Sequence, residues 1–201
     1  GGVAIYHHHV AGDSRLRPRA RANLARHTPT IAVWDDHDYT DNNEDGYAAG
    51  KEVALRVFGE YWANPGFGLP TTPGVFFRYD YGDVSFFMLD DRYYREVESG
   101  TMLGQEQLDW LLWGLSTSTA TFKVLVSGSQ WTQGGTSDSW ASFPDEWQLI
   151  VDHIMGLGID GVLTISGDVH RGEVRVIHEA SESGYALWEF TSSPMANSTT
   201  S

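Results

Sequence analysis

Two short runs of apolar, mostly β-branched residues in this chain each lead straight into a cluster of carboxylates and imidazoles. Ile31-Ala32-Val33-Trp34 precedes Asp35-Asp36-His37-Asp38, and Val162-Leu163-Thr164-Ile165 precedes Ser166-Gly167-Asp168-Val169-His170. Continuous apolar runs of this length, bounded by turn signals, read as fully buried strands of the parallel type. In an open α/β sheet, ligands collect in the crevice beyond the carboxyl ends of the strands, so both polar loops are expected at one edge, facing each other.

The remaining pattern agrees with an α/β chain. Helical spacing runs from Glu44 to Ala63, with Val53, Val57, Phe58, Tyr61 and Trp62 as its apolar positions, and Pro65-Gly66 stops it. Gln105 to Leu115 carries Leu108, Leu111, Leu112 and Leu115 on one face, and a further helix is expected from Pro144 to Leu157. Val75 to Tyr81 and Val84 to Leu89 flank Gly82-Asp83, a two-residue hairpin signal. Short strands are expected at Val124–Val126, Val162–Ile165, Val174–Ile177 and Ala186–Phe190. Strands and helices interleave and then strands close the chain, which predicts a mixed β-sheet in a layered sandwich with flanking helices, folded as one domain. Ser14 to His27 reads as a helix carrying five of the 13 basic residues.

Charge narrows the function. With 27 acidic residues and a net charge of −14, the chain would repel nucleic acid and anionic membranes. There are no cysteines, hence no thiolate zinc site or Cys nucleophile, and no apolar run is long enough to span a bilayer. Ser129 and Ser166 lack the G-x-S-x-G context of a serine hydrolase. Asp and His together suit divalent or trivalent first-row metals, and carboxylates alone suit calcium or magnesium. In an extended Asp168-Val169-His170 segment the first and third side chains project to one side and could grip one ion. The alternative is a turn-capping Asp168 with a surface His170. Asp35 to Asp38 could equally be a solvated acidic loop, but repulsion among its carboxylates favours a cation. His7-His8-His9 alternate in direction and read as a surface strand or loop.

These residues resemble the PhoD-like alkaline phosphatases of the calcineurin-like metallophosphoesterase superfamily. Trp34-Asp35-Asp36-His37-Asp38 followed by Asn42-Asn43 is similar to the family's W-D-D-H-[DE] signature, and Leu89-Asp90-Asp91-Arg92-Tyr93-Tyr94-Arg95 to its L-D-x-R-x-x-R segment. Leu103-Gly104-Gln105-Glu106-Gln107-Leu108-Asp109-Trp110-Leu111 resembles L-G-x-x-Q-x-x-W-L, and Ser166-Gly167-Asp168-Val169-His170 the late S-G-D-x-H motif.

The resemblance implies a metallophosphoesterase-like fold and a metal-dependent phosphoester hydrolase, in which a metal-activated hydroxide attacks phosphorus directly. It places Asp36, Asp168 and His170 as metal ligands and His37 against the scissile phosphate. Arg92 becomes either a phosphate clamp or a structural ion-pair member. The implied cofactors are two or more ions, calcium and iron in the family and other divalent ions by donor type. The implied substrate is a small-molecule or lipid phosphoester, and the implied location is outside the cytoplasm. The family's earlier G-D-x-x-Y segment has no counterpart before Asp35, Gly12-Asp13-Ser14 being a poor substitute, so the chain is expected to be incomplete at its N-terminus. The competing reading is a noncatalytic binding module presenting Trp131, Trp140 and Trp147 to a partner or carbohydrate.

Overall fold

The structure is a computed structural model that describes residues 27–132, 137–180 and 184–193. The arginine-rich segment, apart from His27, the three consecutive histidines and Gly12-Asp13-Ser14 lie outside the described residues.

Among the described residues a six-stranded mixed sheet forms the centre, built from β1 (Phe77–Tyr81), β2 (Val84–Met88), β3 (Phe122–Val126), β4 (Val162–Ser166), β5 (Gly172–His178) and β6 (Leu187–Ser192). Their order across the sheet is β1-β2-β3-β4-β6-β5. Strands β2, β3, β4 and β6 run parallel, and the outer strands β1 and β5 are antiparallel to their neighbours. The β1–β2 hairpin turns through Gly82-Asp83 as expected, with Tyr81 opposite Val84 and Gly82 at φ +59°, the positive value that a tight hairpin loop demands. Asp83 then accepts the backbone N–H of Thr121 at 3.0 Å, which fixes the start of β3 beside the turn.

Helices cover both faces, as the expected mixed sheet with flanking helices requires. On one face α3 (Gln105–Thr117) and α4 (Pro144–Gly156) lay Leu108, Leu111, Leu115, Ile150 and Ile154 over Phe87 and Leu125. Gly114 lets α3 approach closely, since a Cβ there would sit 2.6 Å from the Phe87 ring. Pro144 opens α4, where its missing N–H costs nothing, and Asp145 and Glu146 complement the helix dipole. On the opposite face α2 (Lys51–Tyr61) and the segment 31–34 cover Met88, Val124 and Val126. A four-residue helix, α1 (Asp36–Tyr39), follows that segment directly.

Two expectations change. The helix predicted from Glu44 begins only at Lys51, because Asp45 to Gly50 turns and Gly46 packs against the backbone of Arg95, to whose carbonyl its N–H donates at 2.7 Å. Ala32 to Trp34 is buried and Ile31 half-buried, but the run is not a strand and belongs to none of the six strands of the sheet. The Asn64 side-chain amide pairs with its backbone instead: it accepts the Ala32 N–H at 3.0 Å and donates to the Ala32 carbonyl at 2.8 Å. Among the described residues no helix is long and apolar enough to cross a membrane.

Candidate active site at the carboxyl edge of the sheet

Because β2, β3 and β4 are parallel, the segments that follow them, Leu89 to Arg92, Ser127 to Gln130 and Gly167 to Arg171, emerge at one edge. Gly128 is where they meet the loop of Asp35 and Asp36. A Cβ on Gly128 would lie 2.7 Å from the Trp34 carbonyl oxygen and 3.1 Å from the Asp35 carboxyl carbon, while the Gly128 carbonyl accepts the Gly167 N–H at 3.0 Å. One residue without a side chain thus seats the first polar loop on one side and the second on the other. The Asp168 carboxyl is pushed up to about 7, first by burial and then by the charges of Asp35, Asp138 and Asp36. The two loops therefore converge electrostatically as well as spatially.

The floor of the site is a buried ion-pair lattice. Arg92 is fully buried; its Nε donates to Asp35 Oδ1 at 3.0 Å, its Nη1 to Asp138 Oδ1 at 3.0 Å and its Nη2 to Ser129 Oγ at 3.2 Å. Arg95 adds a second cation 2.8 Å from Asp138. Burial works against the Arg92 charge, yet Asp35 and Asp138 outweigh it and raise its pKa further. Asp91 accepts the Ser129 N–H at 2.6 Å and the Ser127 hydroxyl at 3.0 Å through Oδ2, whereas its buried Oδ1 has no hydrogen-bond partner among the described residues. Burial, and next the charge of Asp35, push the Asp91 carboxyl up to about 6.

Asp90 ties the scaffold to the site. Its Oδ1 accepts the Trp34 indole N–H at 2.8 Å and the backbone N–H groups of Arg92 and Tyr93, and its Oδ2 accepts the Val75 N–H. Gln107, in the first turn of α3, accepts the Asp90 N–H at 2.9 Å and donates to the Asp90 carbonyl at 2.8 Å.

The five residues singled out from the sequence fall as follows. Asp36 is buried at the start of α1, accepting the His37 N–H at 2.7 Å and the Asn43 N–H at 3.2 Å. His37 keeps a third of its side chain exposed, with Nε2 4.0 Å from Asp36 Oδ2. Asp168 and His170 are at the same edge but not on an extended segment. Both have positive φ, +69° and +53°, and the Val169 N–H bonds back to the Gly167 carbonyl at 2.9 Å, a tight turn. Left-handed backbone costs a non-glycine residue roughly 1–2 kcal/mol and gathers at functional sites. Arg92 has the geometry of the ion-pair member of its two alternatives.

Asp35, Asp91 and Asp138 enter the site without having been singled out. The first two stand next to chosen residues, and only burial separates their roles. Asp138 lies in an unpatterned Ser-Asp-Ser stretch whose partners are more than 40 residues away. Among the described residues no three His, Asp or Glu side chains form a ready-made metal shell. Trp131, Trp140 and Trp147 do not offer the aromatic surface considered above: all three are buried, and Trp131 stacks on Trp140 with ring centroids 4.2 Å apart.

Residues 12–201 match the family model described as PhoD-like phosphatase. Alkaline phosphatase D of Bacillus subtilis (strain 168) is 26% identical over 201 aligned residues, covering 80% of this chain and 34% of that protein. A solved structure, described as the structure of PhoD, superposes with a TM-score of 0.69 at 24% identity, covering 83% of this chain and 40% of the other. The chain therefore spans about a third of the length of its curated relative and two fifths of the solved structure.

Proposed function

Because the chain belongs to the PhoD-like phosphatase family, we propose that it is a metal-dependent phosphoester hydrolase acting on small-molecule or lipid phosphoesters. The observation that carries this reading is the convergence of the two polar loops on Gly128, which lies against Trp34 and Asp35 and accepts the Gly167 N–H, with the Asp168 carboxyl pushed up by burial and by the charges of Asp35, Asp138 and Asp36. Carboxylates held together against their repulsion, with an imidazole beside them, are a donor set that a divalent cation fits. Asp36, Asp168 and His170 would hold two or more such ions. Calcium and iron follow from the family resemblance, and other divalent ions fit the same donors. Ions bound there supply charge neutralisation for the phosphoryl oxygens and acidify a water for attack on phosphorus.

The chain's own residues do the rest. His37, with its ring a third exposed, meets the scissile phosphate and donates a hydrogen bond or a proton to the developing oxyanion. Asp36 fixes the His37 backbone through the bond to its N–H. Arg92, closed in by Asp35, Asp138 and Ser129, holds the floor rigid and does not touch substrate. The net charge weighs against polynucleotide substrates, and export from the cytoplasm is the location the family resemblance supports.

The test is equilibrium metal binding together with hydrolysis of p-nitrophenyl phosphate and bis-p-nitrophenyl phosphate after chelation and reloading with calcium, iron or manganese. The expected result is saturable binding that Asp168→Asn weakens at least tenfold, with metal-dependent turnover that His37→Ala lowers without loss of metal. A wild-type chain that binds no ion overturns the reading.

A further inference from the structure

Two cationic groups near the carboxyl edge of the sheet are spent on the floor. Arg92 and Arg95 have side chains 0% and 3% exposed and are committed to Asp35 and Asp138. One position beyond His170 the situation differs. The side chains of Arg171 and Arg175 are 43% and 37% exposed, and both rest on the single carboxylate of Glu173: Arg171 Nη2 lies 3.1 Å from Oε1 and Arg175 Nη2 2.9 Å from Oε2. The trio carries a net charge of +1 at the rim of an otherwise acidic site.

The cluster is built rather than loose. Gln130, 1% exposed, donates Nε2 to Glu173 Oε1 at 2.7 Å and to Thr191 Oγ1 at 3.0 Å. It directly follows Ser129, which receives a hydrogen bond from Arg92. The Thr191 hydroxyl lies 3.0 Å from that of Ser166, the residue that ends β4 two positions before Asp168. Position along β5 also helps: Gly172 pairs with Ser192 at the carboxyl end of β6, and residues 171, 173 and 175 alternate onto one side. Burial disfavours the charged Glu173, yet the bonds from Arg171, Gln130 and Arg175 hold its carboxyl down at about 2. It stays ionised and keeps both guanidinium groups fixed while leaving outward N–H donors on each.

We propose that Arg171, supported by Arg175 and Glu173, forms a specificity subsite for a second anionic group of the substrate, a carboxylate or a phosphoryl group outside the scissile phosphoester. The inference rests on the phosphoesterase reading for its orientation, but it makes a binding claim of its own. A fixed guanidinium pair is suited to planar or tetrahedral oxyanions.

Calorimetric binding of three probes tests it: glycerol 3-phosphate, 3-phosphoglycerate, which adds a carboxylate, and glycerol 1,3-bisphosphate, which adds a phosphoryl group. The wild-type chain is expected to bind the two doubly anionic probes at least tenfold more tightly than glycerol 3-phosphate, and their relative affinities identify the preferred oxyanion. Arg171→Ala is expected to remove most of that preference and Arg171→Ala with Arg175→Ala to bring all three probes within twofold, the fold being monitored by circular dichroism. Glu173→Gln, which removes the carboxylate that fixes both guanidinium groups, is expected to reduce the preference less than the double variant does. A wild-type chain that shows no preference, or binds none of the probes, overturns the proposal, as does a preference that survives in the double variant. Turnover of the same esters is read separately: binding preference without turnover sinks the hydrolase reading and leaves the subsite standing.

Discussion

The Arg92 guanidinium is shared between Asp35 and Asp138, two carboxylates more than 100 positions apart in the chain, and all three side chains are buried. Taking one partner from a buried ion pair leaves an uncompensated charge, which costs about 3–5 kcal/mol. Arg92→Met is therefore expected to lower the stability of the chain by that amount in urea unfolding. Arg92→Lys should recover only a small part, because an ammonium cannot span two carboxylates and a hydroxyl as the planar guanidinium does.

Stability should fall with rising pH across the neutral range. Asp91 and Asp168 keep their protons up to about 6 and about 7 in the folded chain, against an ordinary value of 3.8. Each raised pKa favours the folded state in full below about pH 4, and the gain is lost as pH climbs through the folded value. Glu173 acts in the opposite sense, but only below its ordinary value of 4.5. In metal-free protein the urea midpoint is expected to drop from pH 5 to pH 8. Asp168→Asn should remove the upper part of that drop and exceed wild type at pH 8, since asparagine also tolerates the positive φ at this position. Divalent cations should stabilise the wild type at pH 8 and Asp168→Asn distinctly less at the same concentration, which unfolding curves with and without cation would reveal.

Gly128→Ala is expected to damage the site from behind. The added methyl would press on the Trp34 carbonyl at 2.7 Å and on the Asp35 side chain at 3.1 Å, and neither contact is the far end of a flexible side chain. Overpacking of this kind costs about 1–3 kcal/mol. The measurable signature is a loss of metal affinity larger than that of a surface variant with the same thermal midpoint.

The regular elements were legible because their signals are local. Gly82-Asp83 fixes its hairpin, Pro144 opens α4, and the leucines of α3 repeat on one face. The apolar run of β4, in the parallel part of the sheet, likewise places the second polar loop at the carboxyl edge. What could not be read is whatever depends on a distant partner. Segment 31–34 has the composition of a strand, and only the position of Asn64 reveals that a side chain takes a strand's place. Arg92 could have faced substrate or carboxylates until its burial was known. The turn at Asp168 and His170 defeats an argument from extended spacing, because two positive φ values in non-glycine residues only two positions apart are improbable on local grounds and have to be imposed by the surrounding fold.

The bonds from Trp34 to Asp90 and from Asp90 to Gln107 bear on how such chains are classified. Three of the four signature stretches are joined at one residue, Asp90, through its carboxylate to Trp34 and through its backbone to Gln107. A diverged copy could preserve all three for architectural reasons after its reactive groups had decayed. Sorting working enzymes from silent descendants should therefore lean on the side chains proposed to meet metal and phosphate, Asp36, His37, Asp168 and His170, rather than on the stretches that Asp90 ties together.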